Sequence, residues 1–251
     1  MPPRRPVRVP QLVRRATAEL LGTAFLLAAV VGSGIAAQRL SPDDTGLQLL
    51  ENSVATGAAL VALILALQPV SASFNPVVTI VERALGRIRT TDTAVLVAAQ
   101  ILGGIAGAVV ANLMFDLDAV SFSTHHRATS GHLLGEVVAT LGLVVVVFGA
   151  LRSPRIETVA FAVGGYITAA YWFTSSTSFA NPAVTIARTV SDTFAGIAPG
   201  SVPAFVSMQL VGGALGAGAV LLLHTDTHQA GAPDLDASTG AARPLISEKK
   251  P

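Results

Sequence analysis

The segment "FNPVVTI" at 74–80 returns as "ANPAVTI" at 180–186, and this repetition limits the chain's architecture more than any other feature. Two further landmarks repeat in the same order. "AELLGT" (18–23) answers to "GEVVAT" (135–140), and "AQILGGIAGAVVA" (99–111) to "MQLVGGALGAGAV" (208–220). The offsets of 117, 106 and 109 residues drift so little that the two halves read as copies of one unit with modest loop changes. Each copy carries three apolar stretches, at about 16–38, 50–70 and 93–115, then 131–151, 157–175 and 202–223. A run of ~20 apolar residues spans a hydrocarbon core of ~30 Å. Only 12% of the residues are charged, against about 25% in soluble domains. The chain reads as an all-α membrane protein.

Three spans per copy is an odd number, so the second copy is inverted and a pseudo-twofold axis lies in the membrane plane. The basic residues support the six-span count. Arg4, Arg5, Arg8, Arg14, Arg15, Arg83, Arg87, Arg89, Arg152, Arg155, Arg243, Lys249 and Lys250 fall on one side, and only Arg39, Arg127 and Arg188 on the other. The richer side is expected to face the cytoplasm, with both termini there and the protein in the cytoplasmic (inner) membrane. Residues 1–15 read as a basic cytoplasmic segment. The apolar run that follows is too long for a signal h-region and contains Glu19, so it is a retained span. Residues 16–223 form the membrane domain (repeat one about 16–115, repeat two 131–223), and 224–251 a polar, disordered cytoplasmic tail. Gly103-x-x-x-Gly107 and Gly212-x-x-x-Gly216 predict close helix packing.

Each Asn-Pro falls between the second and third span of its copy. Asn is a good N-cap, and Pro suits the first helical position. Asn75-Pro76-Val77 and Asn181-Pro182-Ala183 therefore each start a helix, but one too short to cross a bilayer. Such a helix is tolerated at membrane depth only when it is buried in protein or lines a cavity. Inversion brings the two positive helix ends together near the midplane. There each Asn oxygen caps its own helix while its NH2 can donate outward. Paired positive ends also raise the barrier to protons and other cations.

Over about 16–223 the chain resembles the aquaporin and glycerol-facilitator channels of the major intrinsic protein family, whose duplicated motif is Asn-Pro-Ala. The resemblance extends to Glu19 and Glu136 in the first span of each copy and to Gln100 and Gln209 in the third. It implies an aquaporin-like fold, six transmembrane helices plus two re-entrant half-helices in an inverted 3+3 repeat, a homotetramer, and one pore per subunit. A Glu inside a span is expensive, so Glu19 and Glu136 are assigned to supporting the pore loops.

One departure stands out. Most family members place Arg three residues after the second Asn; here that residue is Val184. Alignment to the family's other filter positions selects Ala169, twelve residues before Asn181, and Ser178, three before it. In the second span it selects Thr56, which keeps Gly57 in register, with Ala55 as the ungapped alternative. The expected filter is Thr56, Ala169, Ser178 and Val184, small and uncharged, unless Tyr166, Tyr171 or Trp172 refills the space. Arg188, one turn beyond Val184, is expected to line a vestibule or pair with Asp192 in a structural role. The segment "YWFTSSTSFANPAVTIARTVSDTFAGIAP" is similar to bacterial channels associated with arsenic resistance. That resemblance implies passive permeation of glycerol-like polyols and of As(OH)3, a neutral triol, together with water. The absence of cysteine leaves no thiol to trap an arsenical.

The partners expected are small neutral solutes, water and lipid, with no cofactor and no nucleic acid. A water-selective channel with an atypical filter is the nearest alternative. An ion-coupled transporter would place titratable groups on its path, but the two carboxylates within the spans already have a bracing role. Enzyme chemistry has little support: His125, His126 and His132 with Asp116 and Asp118 fall in a predicted outer loop and read as exposed polar residues rather than metal ligands.

Overall fold

Pro10, which cannot continue a helix toward the N-terminus, sets the start of the first helix, α1 (Gln11–Leu40). The computed structural model describes residues 9–224. It continues with α2 (Thr45–Leu67), the short α3 (Pro76–Ala84), α4 (Thr90–Met114), α5 (Ser130–Ala150), α6 (Glu157–Phe173), the short α7 (Pro182–Ala187) and α8 (Val202–Leu223). Residues 188–190 and 199–201 form 3-10 turns.

The six expected spans correspond to α1, α2, α4, α5, α6 and α8. Five of them are long and apolar enough to cross a membrane. The sixth, α6, has 17 residues, about 26 Å at 1.5 Å per residue, the short end of the usual range. Helix α1 begins ahead of the expected boundary at residue 16 and takes in Arg14 and Arg15. Of the two expected terminal segments, residues 1–8 and 225–251 lie outside the described residues.

Packing follows the repeat. A Cβ on Gly103 or Gly107 of α4 would stand 2.2 and 2.0 Å from the carbonyl oxygens of Leu20 and Ala24 on α1. In the second copy, a Cβ on Gly212 or Gly216 of α8 would stand 2.5 and 2.9 Å from the Val137 and Leu141 carbonyl oxygens of α5. Only glycine allows backbones this close, and in lipid such contact replaces the hydrophobic driving force. Polarity is arranged to match: Phe25, Leu102, Phe161 and Leu222 point outward and exposed, while Glu19, Asn52, Gln100, Glu136 and Gln209 are fully buried. In water that exterior would be a liability; in hydrocarbon it is the matched surface.

The 116–129 connection between the copies is ordered across one end of the bundle. Ser121 and Ser123 donate backbone N–H groups to Val190 and Thr189, and Ala198 donates to His125. Arg127 donates to the Gly196 and Phe194 carbonyls. Asp192 accepts from the Thr124 N–H at 2.8 Å and from its hydroxyl.

Candidate functional site

Both short helices begin as their sequence dictates. The Asn75 side-chain oxygen accepts from Val77 N at 3.0 Å, and that of Asn181 from Ala183 N at 2.9 Å and Val184 N at 3.3 Å. The two helix starts meet. Asn75 Nδ2 donates to Ala180 O and Asn181 Nδ2 to Phe74 O, each at 2.8 Å. A primary amide carries two N–H donors, so each Asn ties its loop to the other copy and keeps one donor in hand.

For those carbonyls to face across, the residue before each Asn turns left-handed: Phe74 at φ 48° and Ala180 at φ 47°. Thr177 and Ser178 are left-handed as well, at φ 61° and 50°. Each such non-glycine residue costs roughly 1–2 kcal/mol. The carboxylates in the spans hold the strained turns. Glu19 accepts from Ser71 Oγ, Ser73 N, Phe74 N and Gln100 Nε2 at 2.5–2.9 Å. Glu136 accepts from Phe179 N, Ala180 N and Gln209 Nε2 at 2.5–3.0 Å. The Gln amides continue to Thr79 and Thr185 hydroxyls, which donate back to the carbonyls of Asn75 and Asn181. Glu, Gln, Thr and Asn thus form one lattice, built twice.

A single cavity of about 300 Å³ threads past both Asn residues. One end is lined by Arg15, Gln68 and Glu82, the middle by Asn75, Asn181 and Val78, and the other end by Thr56, Tyr171, Ser178, Val184 and Arg188. Val78 and Val184 stand at the same position after the two Asn residues, so the chain carries valine at both. Pro76, Val77, Pro182 and Ala183 are buried but do not line the cavity. Val77, where the family motif has Ala, fits because it rests on Gly213, whose Cβ would be 2.4 Å away.

Of the residues expected to ring the outer end, Thr56, Ser178 and Val184 line the cavity; Ala55 lies half-buried beside it. Ala169 does not join them. It is exposed on the outer face of α6. The cavity face of that helix is the row Val159, Val163, Ile167 and Tyr171, each four residues on from the last. Ala169 sits two residues before Tyr171, about 200° around the helix. Tyr171 fills the position instead, 3% exposed, with its hydroxyl 3.2 Å from Thr56 Oγ1. Tyr166 turns to the Ala139 carbonyl and Trp172 to Ser53 Oγ. Ser178 Oγ is buried without a protein partner. Arg188 does not pair with Asp192. Its Nε donates to Ala195 O and its guanidinium covers the Phe179 ring. Of the three aromatic candidates Tyr166, Tyr171 and Trp172, it is Tyr171 that refills the ring; Ile167 and Phe179 carry no motif that marks them as lining residues, although the four-residue row on α6 was available to find Ile167.

His125 and His126 are exposed in the 116–129 connection, and among the described residues no three His, Cys, Asp or Glu side chains gather as a metal site.

Residues 7–158 match the family model described as "Major intrinsic protein". The chain is 51% identical over 202 residues to aquaglyceroporin AqpS of Rhizobium meliloti (strain 1021), covering 80% of this chain and 86% of that one. It is 32% identical over 193 residues to aquaporin A of Dictyostelium discoideum, covering 71% and 69%. Among solved structures, the aquaglyceroporin from Plasmodium falciparum shares the fold, with a TM-score of 0.65 over 87% of this chain and 97% of that one, at 19% identity.

Proposed function

The chain belongs to the major intrinsic protein family, and from that premise we propose that its central cavity is a passive path for glycerol-like polyols, trivalent arsenic as As(OH)3, and water. This is an integral multi-pass membrane protein, a channel for small solutes of the glycerol kind and not an enzyme. The finer reading rests on one observation: the same cavity runs past both Asn residues and out through Thr56, Tyr171, Ser178 and Val184.

In this reading the midplane carries two remaining Asn N–H donors, which orient a solute oxygen, between two positive helix ends that repel cations. The outer ring is Thr56, Tyr171, Ser178 and Val184. Its polar side offers hydroxyls, including the unpartnered Ser178 Oγ; Val184 offers methyl groups. Such an amphipathic ring suits a molecule with hydroxyls on one side and a compact apolar or soft centre on the other, as glycerol and As(OH)3 both have. With no cysteine in the chain, an arsenical meets no thiol on the way. Glu19 and Glu136 support the loops and do not touch solute. The assembly is a homotetramer with a pore in each subunit, in the cytoplasmic membrane with both termini inside. The membrane domain is 11–223, extended at its start to include the whole of α1.

Tyr171 narrows the ring relative to an all-small filter, and this favours the one competing reading, a water-selective channel. Stopped-flow light scattering on proteoliposomes decides between them. The polyol reading expects glycerol and As(OH)3 permeabilities well above protein-free vesicles; the water reading expects a rise for water alone.

A further inference from the structure

Arg188 follows Val184 by four residues, which sets it ~6 Å farther along the same face, toward the outer mouth. It is only 2% exposed, yet it lines the cavity with Ser178, Phe179 and Val184. Its Nε donates to Ala195 O, and its Cζ lies 3.5 Å from the Phe179 ring centroid. Those contacts hold the group in place but use one of its five N–H donors. The two terminal nitrogens make no hydrogen bond among the described residues, where the ion pair found is Arg15 with Asp92. Asp192, the nearest acidic candidate by sequence, is bonded to Thr124. Arg127 brings a second guanidinium over the same ring at 5.3 Å, with two of its five donors given to the Gly196 and Phe194 carbonyls. The outer end of the cavity thus holds a fixed positive charge with no carboxylate at ion-pair distance among the described residues. Burying a guanidinium without a counter-ion is expensive, and the ring stack and single backbone bond explain its position without explaining why its free donors face the cavity.

The geometry points to Arg188 as the charge-selectivity residue of the path, standing one helical turn outside the ring that contains Val184. It repels entering cations and offers its terminal N–H groups to the oxygens of a neutral solute, beside the free Ser178 hydroxyl. Width and charge are therefore set at two levels: Val184 and Tyr171 fix the first, Arg188 the second. The inference rests on reading the cavity as the solute path.

The test measures cation leak (proton and potassium) and water and glycerol flux in the same proteoliposomes of the full chain. Arg188→Gln is expected to raise the leak per channel about tenfold or more while water still passes, and Arg188→Lys to stay near the native value. Val184→Asp leaves the Phe179 stack and the Ala195 bond intact but sets a carboxylate one turn from Arg188, and it too should raise the leak. Should Arg188→Gln fail to fold, Arg188→Met in the same vesicles takes its place, since it too removes the charge without adding a carboxylate that would itself draw cations. Native leak in a water-conducting Arg188→Gln or Val184→Asp overturns the assignment, as does an Arg188→Lys leak equal to that of Arg188→Gln, which would make the ring stack the cause. If the native chain passes neither water nor glycerol, the path itself is misread and the inference falls with it, a result the leak assay alone would not give.

Discussion

In the first repeat the Asn-Pro helix runs nine residues, Pro76–Ala84, whereas its counterpart stops after six, Pro182–Ala187, and tightens into a 3-10 turn. The approach to each helix differs too. One left-handed residue, Phe74, precedes Asn75; three of the four residues at 177–180 are left-handed before Asn181. What the two loops share is the lattice from Glu through Gln and Thr to the Asn carbonyl. The duplicated residues fix the backbone of the path, and the residues that diverged, from 174 to 180 and beyond 187, shape its outer end. The hydrogen-bonded lattice is thus common to both halves, and the proposed selectivity residues gather in one.

The largest effect should come from breaking the shared lattice. Glu136→Leu orphans three buried donors and Glu19→Leu four, at roughly 1–3 kcal/mol for each unsatisfied group. We expect both variants to lose at least about 3 kcal/mol of stability, read as a large fall in the thermal midpoint in detergent. Comparable losses keep the two lattices equivalent; tolerance of one variant would break the comparison. Next comes helix contact. Gly107→Ala should cost about 2 kcal/mol, because its Cβ would press on a backbone carbonyl, and Gly216→Ala less, because the space there is slightly larger.

These packing and capping features were legible in the sequence because they are local or duplicated. Six apolar runs located six helices to within a few residues, and Asn followed by Pro fixed both short helix starts. Ala169 was not legible. Counting twelve residues back from Asn181 assumes the family's loop length, but here α6 ends at Phe173 and a left-handed stretch brings Tyr171 to the ring. Only the path of the 174–180 loop decides which turn of α6 faces the cavity. Arg188 lines the cavity, one of its two expected placements, but its partners are a backbone carbonyl and an aromatic ring that tertiary packing delivers, not the Asp192 charge visible four residues on.

The asymmetry of the outer end gives the next prediction. Tyr171→Ala should raise glycerol permeability several-fold with a smaller gain for water, while Tyr171→Phe, which loses only the contact with Thr56, should change either by less than about twofold. The equivalent cut on the inner side, Val78→Ala, should alter the ratio little. The smallest effect concerns the outer loop. Bonds from Thr124 hold the Asp192 carboxyl below its ordinary range. A depressed folded value means stability that is present above about pH 4 and lost as pH falls through the folded value. Hydrogen exchange at 121–127 should therefore be slower at pH 7 than at pH 3 after correction for intrinsic rates, and Asp192→Ala should remove that difference.

If valine at position 184 opens the path to solutes larger than water, as we propose, an arginine there should close it to them. Stopped-flow permeabilities of the native chain and Val184→Arg, for water, glycerol and As(OH)3 in matched vesicles, test it directly. The account predicts that the native chain passes all three and that Val184→Arg suppresses glycerol and As(OH)3 far more than water. A Val184→Arg channel that passes the larger solutes at the native rate, or one that loses all three in proportion, would contradict it.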